Sequence, residues 1–498
     1  MAVSDVVDTR SGAVRGATID GVQVFKGIPF AAPPFGRKRR LPPQPVEPWT
    51  GVRDATAWGP KCPQPPYPPQ IDEMIPEYAV SGEDCLNLNV WTPGLGAAGL
   101  PVMVWIPGGM FEYHATGAAP TYDGTAFARD GVVCVTVNYR VGAEGFLYLG
   151  EGNANRGLLD QIAALEWVRD NIAAFGGDPG NVTVFGESAG ALSVGTLLAM
   201  PAAEGLFRRA IMQSGAGHLV MPVATAQMVA DRLAEKLGIE PTREAMAAVP
   251  VERMLEAQAA LRDELTAMPD PARWGMEVVT AMMPWQPVVD GDTLPARPID
   301  AVAAGASAGV DIIVGTNTDE NRLFLVPGGA IDHITDEVLA MVIASYGLPV
   351  ESTLAAYRAA HQGASAGDLM SALQTDWFWR IPAMRLADAH ASDAAATYMY
   401  EFAWCTPAFG GLLRACHSIE MAFVFDTLGN MTEPMLGAEP PQGLANAMHA
   451  AWVAFAKRGD PGWARYDLGR WKTMRFGGEA GVVEDPRAME RRVWEGRR

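Results

Sequence analysis

The sequence is poor in cysteine and in positive charge, and it has no long apolar segment. Its 498 residues include five cysteines, too few for a disulfide scaffold, and none forms the Cys-x-x-Cys pair typical of zinc or redox sites. A formal net charge of −19 argues against nucleic acid and anionic lipid as partners. No stretch could cross a bilayer, and the N-terminus lacks the pattern of a signal peptide. We therefore expect a soluble, cytoplasmic protein.

The remaining composition is that of a globular protein, with 49% apolar and 19% charged residues. A chain of this length can bury a large core without cross-links. It shows no internal repeat, heptad array or low-complexity block. We expect a single domain over residues 1–498, with helical cap or peripheral segments at 222–281 and in parts of 325–390.

Apolar runs alternate with helical periodicity in the first half of the chain. Residues 86–91 alternate like a strand, whereas 102–106 and 132–137 are continuous apolar runs, typical of strands buried on both faces. Helical spacing from Leu158 to Ile172 is followed by a strand pattern at 182–185 and a helix pattern at 192–200. Alternating strands and helices predict an α/β fold with a mostly parallel central sheet flanked by helices.

The segment Gly186-Glu187-Ser188-Ala189-Gly190 matches the pattern Gly-x-Ser-x-Gly. A chance match is the simpler explanation for such a pentapeptide in a glycine-rich chain. Here, however, a predicted buried strand precedes the motif and a predicted helix follows it, as in the nucleophile elbow of the α/β-hydrolase fold. We therefore predict that Ser188 is a nucleophile at the carboxyl end of the sheet.

A serine nucleophile that attacks a carbonyl needs backbone N–H groups to stabilise the oxyanion that forms. Ala189 follows the nucleophile and supplies one N–H group. The turn Pro107-Gly108-Gly109-Met110-Phe111 follows the strand at 102–106, and we predict that Gly109 and Met110 are the other donors, with Gly108 and Phe111 beside the site. The alternative is a turn that only ends the strand.

The general base should be a histidine, for which the chain offers seven candidates: His114, His218, His333, His361, His390, His417 and His449. The order serine, acid, histidine excludes His114 and leaves little room before His218. His417 follows a predicted strand at 398–402, whereas His449 lies among apolar residues on a predicted helix, which suggests packing. The acid should follow the strand at 310–314, where spacing alone does not separate Asp319 from Glu320.

Together these residues resemble the type-B carboxylesterase family, which includes the cholinesterases. The resemblance runs over nearly the whole chain and rests on six segments in a shared order: 25–34, 81–91, 155–161, 175–179, 213–215 and 459–461. It implies that Glu320 is the acid and that His417, ahead of Glu420-x-x-Phe-Val-Phe, is the base. It also implies that Ser214 supports the acid and that Glu187 lines the site.

The resemblance implies a serine carboxylesterase of broad small-ester specificity that works through an acyl-enzyme and needs no metal or cofactor. Its partner would be a small-molecule ester, and we expect a monomer. An acyltransferase or lactonase with the same triad is one alternative. A non-catalytic, cholinesterase-like binding protein is another, although such proteins typically lack a triad member.

The chain departs from the family pattern at the oxyanion turn. Pro107 stands where the family usually has histidine, and Met110 stands where it has glycine or alanine. A backbone N–H donor survives at Met110, so we expect the change to reshape the adjacent pocket. Cys62 and Cys85 fall where relatives carry a disulfide, and the resemblance leaves open whether that bond forms here.

Overall fold

The computed structural model describes residues 2–113, 116–391 and 395–497. Within these residues, 13 strands form one sheet in the order β1-β2-β3-β5-β7-β6-β8-β9-β12-β13-β14-β15, with β4 beside β2, and β10 pairs with β11 separately. The strands are β1 Ala2–Thr9, β2 Gly12–Ile19, β3 Val22–Pro29, β4 Val52–Asp54, β5 Asn87–Thr92, β6 Leu100–Ile106, β7 Val133–Val137, β8 Gly177–Glu187, β9 Arg209–Gln213, β10 Met221–Pro222, β11 Val288–Val289, β12 Asp311–Asn317, β13 Thr397–Phe402, β14 Thr473–Phe476 and β15 Gly481–Val483.

The middle of the sheet is parallel and its edges are mostly antiparallel, although β4 pairs with β2 in parallel. Strands β7, β6, β8, β9, β12, β13 and β14 run parallel to their neighbours in that order. Alternate residues of β6 enter different cores, because Val102 and Val104 belong to one apolar cluster and Met103 and Trp105 to the other. The core therefore lies on both faces of the sheet, and the predicted α/β class is confirmed.

Long helices cover this sheet and build the periphery. Those of nine residues or more in the described chain are α1 Arg156–Asn171, α2 Ala189–Leu197, α3 Val223–Leu237, α4 Val251–Ala267, α5 Asp336–Ser345, α6 Val350–Ala360, α7 Ala366–Thr375, α8 Ile381–His390 and α9 Gln442–Arg458. Shorter helices are Pro69–Asp72, Thr125–Arg129, Gly142–Phe146, Arg243–Ala248, Pro271–Trp274, Met276–Ala281, Pro298–Ala303, Arg322–Leu325, Met421–Phe425, Glu433–Leu436 and Ala488–Val493. Helices occur in 222–281 and in parts of 325–390, and that these segments form a cap stays a prediction.

Two elements differ from their sequence patterns. The alternation at 86–91 predicts a strand with one polar face, yet all of Asn87–Thr92 is buried. Asn89 is accommodated because its amide donates to Thr136 Oγ1 at 2.9 Å, so a polar residue there needs no solvent. Helix α2 begins at Ala189 instead of 192, directly after the predicted nucleophile.

In the described residues, no single helix has both the length and the apolar composition needed to cross a membrane. Helices α5 and α6 taken together have the required length and composition, but they are bent by 117° relative to each other.

Candidate active site

Ser188 lies in the sharp turn between β8 and α2. Its backbone adopts φ 56° and ψ −124°, a sparsely populated positive-φ conformation that costs a non-glycine residue about 1–3 kcal/mol. The turn is tight because Gly190 packs against the carbonyl of Ile106, where any side chain would collide. Ser188 N–H donates to the carbonyl of Gln213 at 2.9 Å, which ties the turn to β9. This is the elbow geometry that the motif predicts.

Glu320 and His417 meet although they are 97 positions apart in the chain. His417 Nδ1 lies 2.6 Å from Glu320 Oε2. The other oxygen, Glu320 Oε1, accepts hydrogen bonds from Ser214 Oγ at 2.6 Å and from the backbone N–H of Asn317 at 2.7 Å. Glu320 is fully buried, so these donors replace water around its charge.

Ser188 and His417 both line one small cavity of about 20 Å³, together with Glu187 and Ser418. The predicted nucleophile and base therefore face the same space. His417 is held from its sides by aromatic rings: Trp379 stacks on the imidazole with centroids 4.3 Å apart, and the Phe324 centroid lies 5.5 Å away.

Glu187 faces the nitrogen of His417 that is turned away from Glu320. Its Oε1 lies 3.1 Å from His417 Nε2 and accepts a hydrogen bond from Ser418 Oγ at 2.8 Å. Burial raises the pKa of Glu187 to about 8. Burial alone would lower the pKa of His417, but the carboxylates of Glu187 and Glu320 outweigh it and raise this pKa to about 9.

The predicted oxyanion turn follows β6 beside the elbow. Gly109 has φ 108°, and both Met110 and Phe111 have φ 57°. Two consecutive non-glycine residues in the left-handed region each add about 1–2 kcal/mol of strain, which persists only where the surroundings hold it. In the described part of the chain, the backbone N–H groups of Gly109 and Met110 donate to no other group.

A cavity of about 660 Å³ opens from Ser188, Ala189 and Met110. Its wall consists of apolar and uncharged polar side chains, and no charged residue of the described chain lines it. Four methionines contribute to it: Met110, Met276, Met282 and Met283. Because methionine is flexible and polarizable, such a wall can adapt to ligands of different shape.

The alternatives that spacing left open are engaged elsewhere. Asp319 forms ion pairs with Arg322 and Arg414, each at 3.5 Å. His449 packs against Phe127 with ring centroids 4.5 Å apart, and its Nδ1 lies 2.7 Å from the carbonyl of Val424. His114 lies outside the described residues.

Sequence reasoning did not identify Trp379. The segment Asp376–Arg380 forms a π-helical turn between α7 and α8, a feature often found at functional sites. Trp379 Nε1 donates to Asn321 Oδ1 at 3.0 Å, which anchors the ring beside Glu320. The aromatic run Trp377-Phe378-Trp379 was the available signal, but nothing in its spacing connects it to His417.

Two further features concern cofactors and thiols. Within the described chain, no group of three or more His, Cys, Asp or Glu side chains could hold a metal ion. Cys62 and Cys85 are buried free thiols whose Sγ atoms lie 2.6 Å apart.

Comparison with known proteins assigns the chain to a family. The carboxylesterase family model matches residues 3–483. Para-nitrobenzyl esterase of Bacillus subtilis is 39% identical over 98% of this chain and 97% of its own length. Phenmedipham hydrolase of Pseudarthrobacter oxydans is 35% identical over 97% of this chain and 95% of its own.

Solved structures agree with this assignment. The carboxylesterase of Geobacillus stearothermophilus superposes with a TM-score of 0.85 at 38% identity, covering 99% of this chain and 100% of that one. A structure of PNB esterase gives a TM-score of 0.85 at 36% identity, covering 98% and 99%. These matches confirm the resemblance found in the sequence and the α/β-hydrolase fold. The chain belongs to the carboxylesterase family and is a carboxylic ester hydrolase.

Proposed function

We propose that this protein is a serine carboxylesterase with Ser188 as nucleophile, His417 as general base and Glu320 as the acid that orients the base. The observation that carries the proposal is the chain of contacts from Ser214 through Glu320 to His417, which ends at the cavity lined by Ser188. These contacts support the order of nucleophile, base and orienting acid that acyl transfer requires.

In the first step, His417 Nε2 takes the proton from Ser188 Oγ as that oxygen attacks the ester carbonyl. The imidazolium that forms is stabilised by the carboxylate at its Nδ1, 2.6 Å away. The carbonyl oxygen becomes negative and accepts hydrogen bonds from the N–H groups of Gly109, Met110 and Ala189. The imidazolium then protonates the departing alcohol, which leaves an ester of Ser188 with the acyl group.

The second step reverses the first with water in place of the alcohol. His417 takes a proton from water, whose oxygen attacks the acyl carbonyl, and the same N–H groups stabilise the second oxyanion. Collapse of this intermediate returns the proton to Ser188 Oγ and releases the carboxylic acid. In both steps His417 is the residue that carries the proton between the serine, the alcohol and the water.

The large cavity supports broad specificity for neutral esters, from small acyl groups to bulky apolar ones. Its volume of about 660 Å³ and uncharged wall suit an apolar acyl or alcohol group. Each methylene buried there should contribute about 0.8 kcal/mol, which corresponds to about a fourfold gain in kcat/KM. Para-nitrobenzyl esters are natural first substrates, since a relative with 39% identity is named for them.

A phosphonate probe tests the nucleophile. An alkyl fluorophosphonate should form one adduct on Ser188 and abolish turnover, because activated serine attacks phosphorus as it attacks a carbonyl. Peptide mass spectrometry locates the adduct, and Ser193→Ala, a buried serine on α2, serves as the matched control. An adduct on Ser193 or Ser214, or normal turnover in Ser188→Ala, would refute the assignment.

A panel of para-nitrophenyl esters tests the substrate class and separates the alternatives. We expect kcat/KM to rise with acyl length and then to fall once the chain outgrows the cavity. Transfer of the acyl group to an added alcohol, in preference to water, would identify an acyltransferase. Faster opening of lactones than of linear esters would identify a lactonase, and no turnover of any ester would favour a binding protein.

We also propose that the protein is a monomer located in the cytoplasm, as the sequence suggests. Size-exclusion chromatography with light scattering measures the first property, and fractionation of the source cells measures the second.

A further inference from the structure

The oxyanion turn contains two consecutive non-glycine residues in a strained conformation. Met110 and Phe111 both have φ 57°, where the family pattern at Met110 has glycine or alanine. Strained conformations persist when neighbouring structure determines them fully. Inside the turn, the N–H groups of Glu112 and Tyr113 both donate to the carbonyl of Gly109, at 2.9 and 2.7 Å. These two bonds close the turn but do not anchor it to the rest of the protein.

The first external anchor is an ion pair between Glu112 and Arg262. Only 1% of the Glu112 side chain is exposed, so this ion pair stabilises a buried charge. The Arg262 guanidinium also lies over the ring of Tyr113, 5.2 Å from its centroid. Tyr113 in turn stacks on Tyr67 with centroids 5.0 Å apart. A residue of helix α4, in the peripheral segment, thus fixes the two residues that follow Phe111.

The second external anchor lies one helical turn earlier on α4. Gln258 Oε1 accepts a hydrogen bond from the backbone N–H of Ala143 at 2.7 Å. The preceding residue, Gly142, donates its N–H to the carbonyl of Phe111 at 2.7 Å. Because Gln258 and Arg262 are four residues apart, they lie on the same face of the helix. One helix face therefore contacts the carbonyl of Phe111, through Gly142 and Ala143, and the two residues that follow it.

We propose that Arg262 is a positioning residue for the oxyanion turn, acting through Glu112, and that this chain needs it because Met110 and Phe111 are strained. When the ion pair is removed, the turn relaxes and the N–H groups of Gly109 and Met110 leave the place where the oxyanion forms. The inference rests on the oxyanion assignment made under the proposed function. It adds a peripheral helix to the parts of the molecule that set the rate.

The central test is Arg262→Gln with Arg253→Gln as matched control. Arg253 lies on the same helix, is exposed, and contacts only the carbonyl of Leu237, at 2.6 Å, within the described chain. Loss of one oxyanion donor lowers kcat by about 10²–10³-fold, so a loosened turn should lower it at least about tenfold. We expect KM to change less than about threefold, a similar kcat loss on every ester, and an unchanged control.

A transition-state analogue distinguishes positioning from general damage. A trifluoromethyl ketone binds as a hemiketal oxyanion, so its inhibition constant should rise by the factor by which kcat/KM falls. The inhibition constant of a long-chain alcohol, which occupies only the apolar cavity, should stay the same. Arg262→Lys keeps the charge and should recover part of kcat. Equal weakening of both inhibitors, or no recovery with lysine, would overturn the proposal.

A double-mutant cycle tests the role of strain. Glycine adopts left-handed φ without a steric cost, so Met110→Gly should make the turn less dependent on its anchor. The kcat loss caused by Arg262→Gln should then be several-fold smaller in the Met110→Gly background. Equal losses in both backgrounds would refute the link to strain. The two proposals can fail independently. If Ser188→Ala stays active, the proposed function is wrong. If Ser188→Ala is inactive but Arg262→Gln turns over substrate normally, only the positioning role is wrong.

Discussion

Replacing Glu187 by glutamine should shift the pH dependence of the enzyme toward acid. His417 must be neutral to accept the serine proton, and its pKa of about 9 means that the free enzyme reaches full activity only in alkaline solution. The carboxylate of Glu187, 3.1 Å from His417 Nε2, contributes to this raised value. Glutamine has nearly the same shape but no charge, so the imidazolium loses part of its stabilisation.

The geometry sets the size of the effect. Two unit charges 3.1 Å apart interact by about 1 kcal/mol in water and about 5 kcal/mol at an effective dielectric constant of about 20. One pKa unit corresponds to about 1.4 kcal/mol, so the pKa of His417 should fall by at least about one. We expect the lower end of this range, because burial raises the pKa of Glu187 itself to about 8 and the two groups titrate together.

The assay is kcat/KM for one para-nitrophenyl ester between about pH 5 and 10, since this ratio reports the ionisation of the free enzyme. The wild-type profile should be half-maximal near pH 9 and still rise toward pH 10, and the Glu187→Gln midpoint should lie at lower pH. Asp319→Asn is the matched control, because Asp319 pairs with Arg322 and Arg414 instead. An unmoved Glu187→Gln profile would refute the role given to this carboxylate, as would a shift of the same size in Asp319→Asn.

Three other perturbations test separate parts of the molecule. Replacing His417 or Glu320 by alanine should lower kcat by about 10⁴-fold with little change in KM; near-normal turnover would contradict the triad. Met110→Ala keeps the N–H donor and the left-handed backbone but shortens a side chain that lines the large cavity. One methylene is worth about 1–3 kcal/mol in discrimination between substrates, so the kcat/KM ratio of bulky to small esters should rise at least about tenfold. An equal loss of activity on every ester would show instead that the side chain holds the turn. Asp160→Ala should lower the free energy of unfolding, measured with urea, by about 3–5 kcal/mol. The reason is that the buried guanidinium of Arg140 loses its bidentate partner, which lies at 2.7 and 2.8 Å. A loss below about 1 kcal/mol would contradict this account.

Part of the site could be predicted from local sequence. The elbow at Ser188 was predictable because strand, turn and helix are adjacent in the chain and glycine is required where the backbones touch. The oxyanion turn was predictable for a similar reason, since it follows directly on a buried apolar strand. Spacing could not choose between Asp319 and Glu320, and the family resemblance made that choice.

The tertiary structure explains why these neighbours differ. The carboxylate of Glu320 turns inward to Ser214 and His417, whereas that of Asp319 turns to two arginines. The packing of the loop decides which of two adjacent side chains points inward, and this cannot be read from the order of the residues. The buried strand Asn87–Thr92 makes the same point, because its alternating pattern predicts an exposed face that neighbouring elements cover.

The sequence by itself determined the fold class and the family and predicted the nucleophile, because these follow from periodicity and from motifs whose residues are close in the chain. Only the tertiary structure decided what surrounds the reacting groups. It brought Trp379 against His417, Arg262 against Glu112 and four methionines around the cavity. These contacts join segments that are far apart in the chain. No local sequence pattern indicates which distant side chains will meet, because the folding of the whole chain decides it.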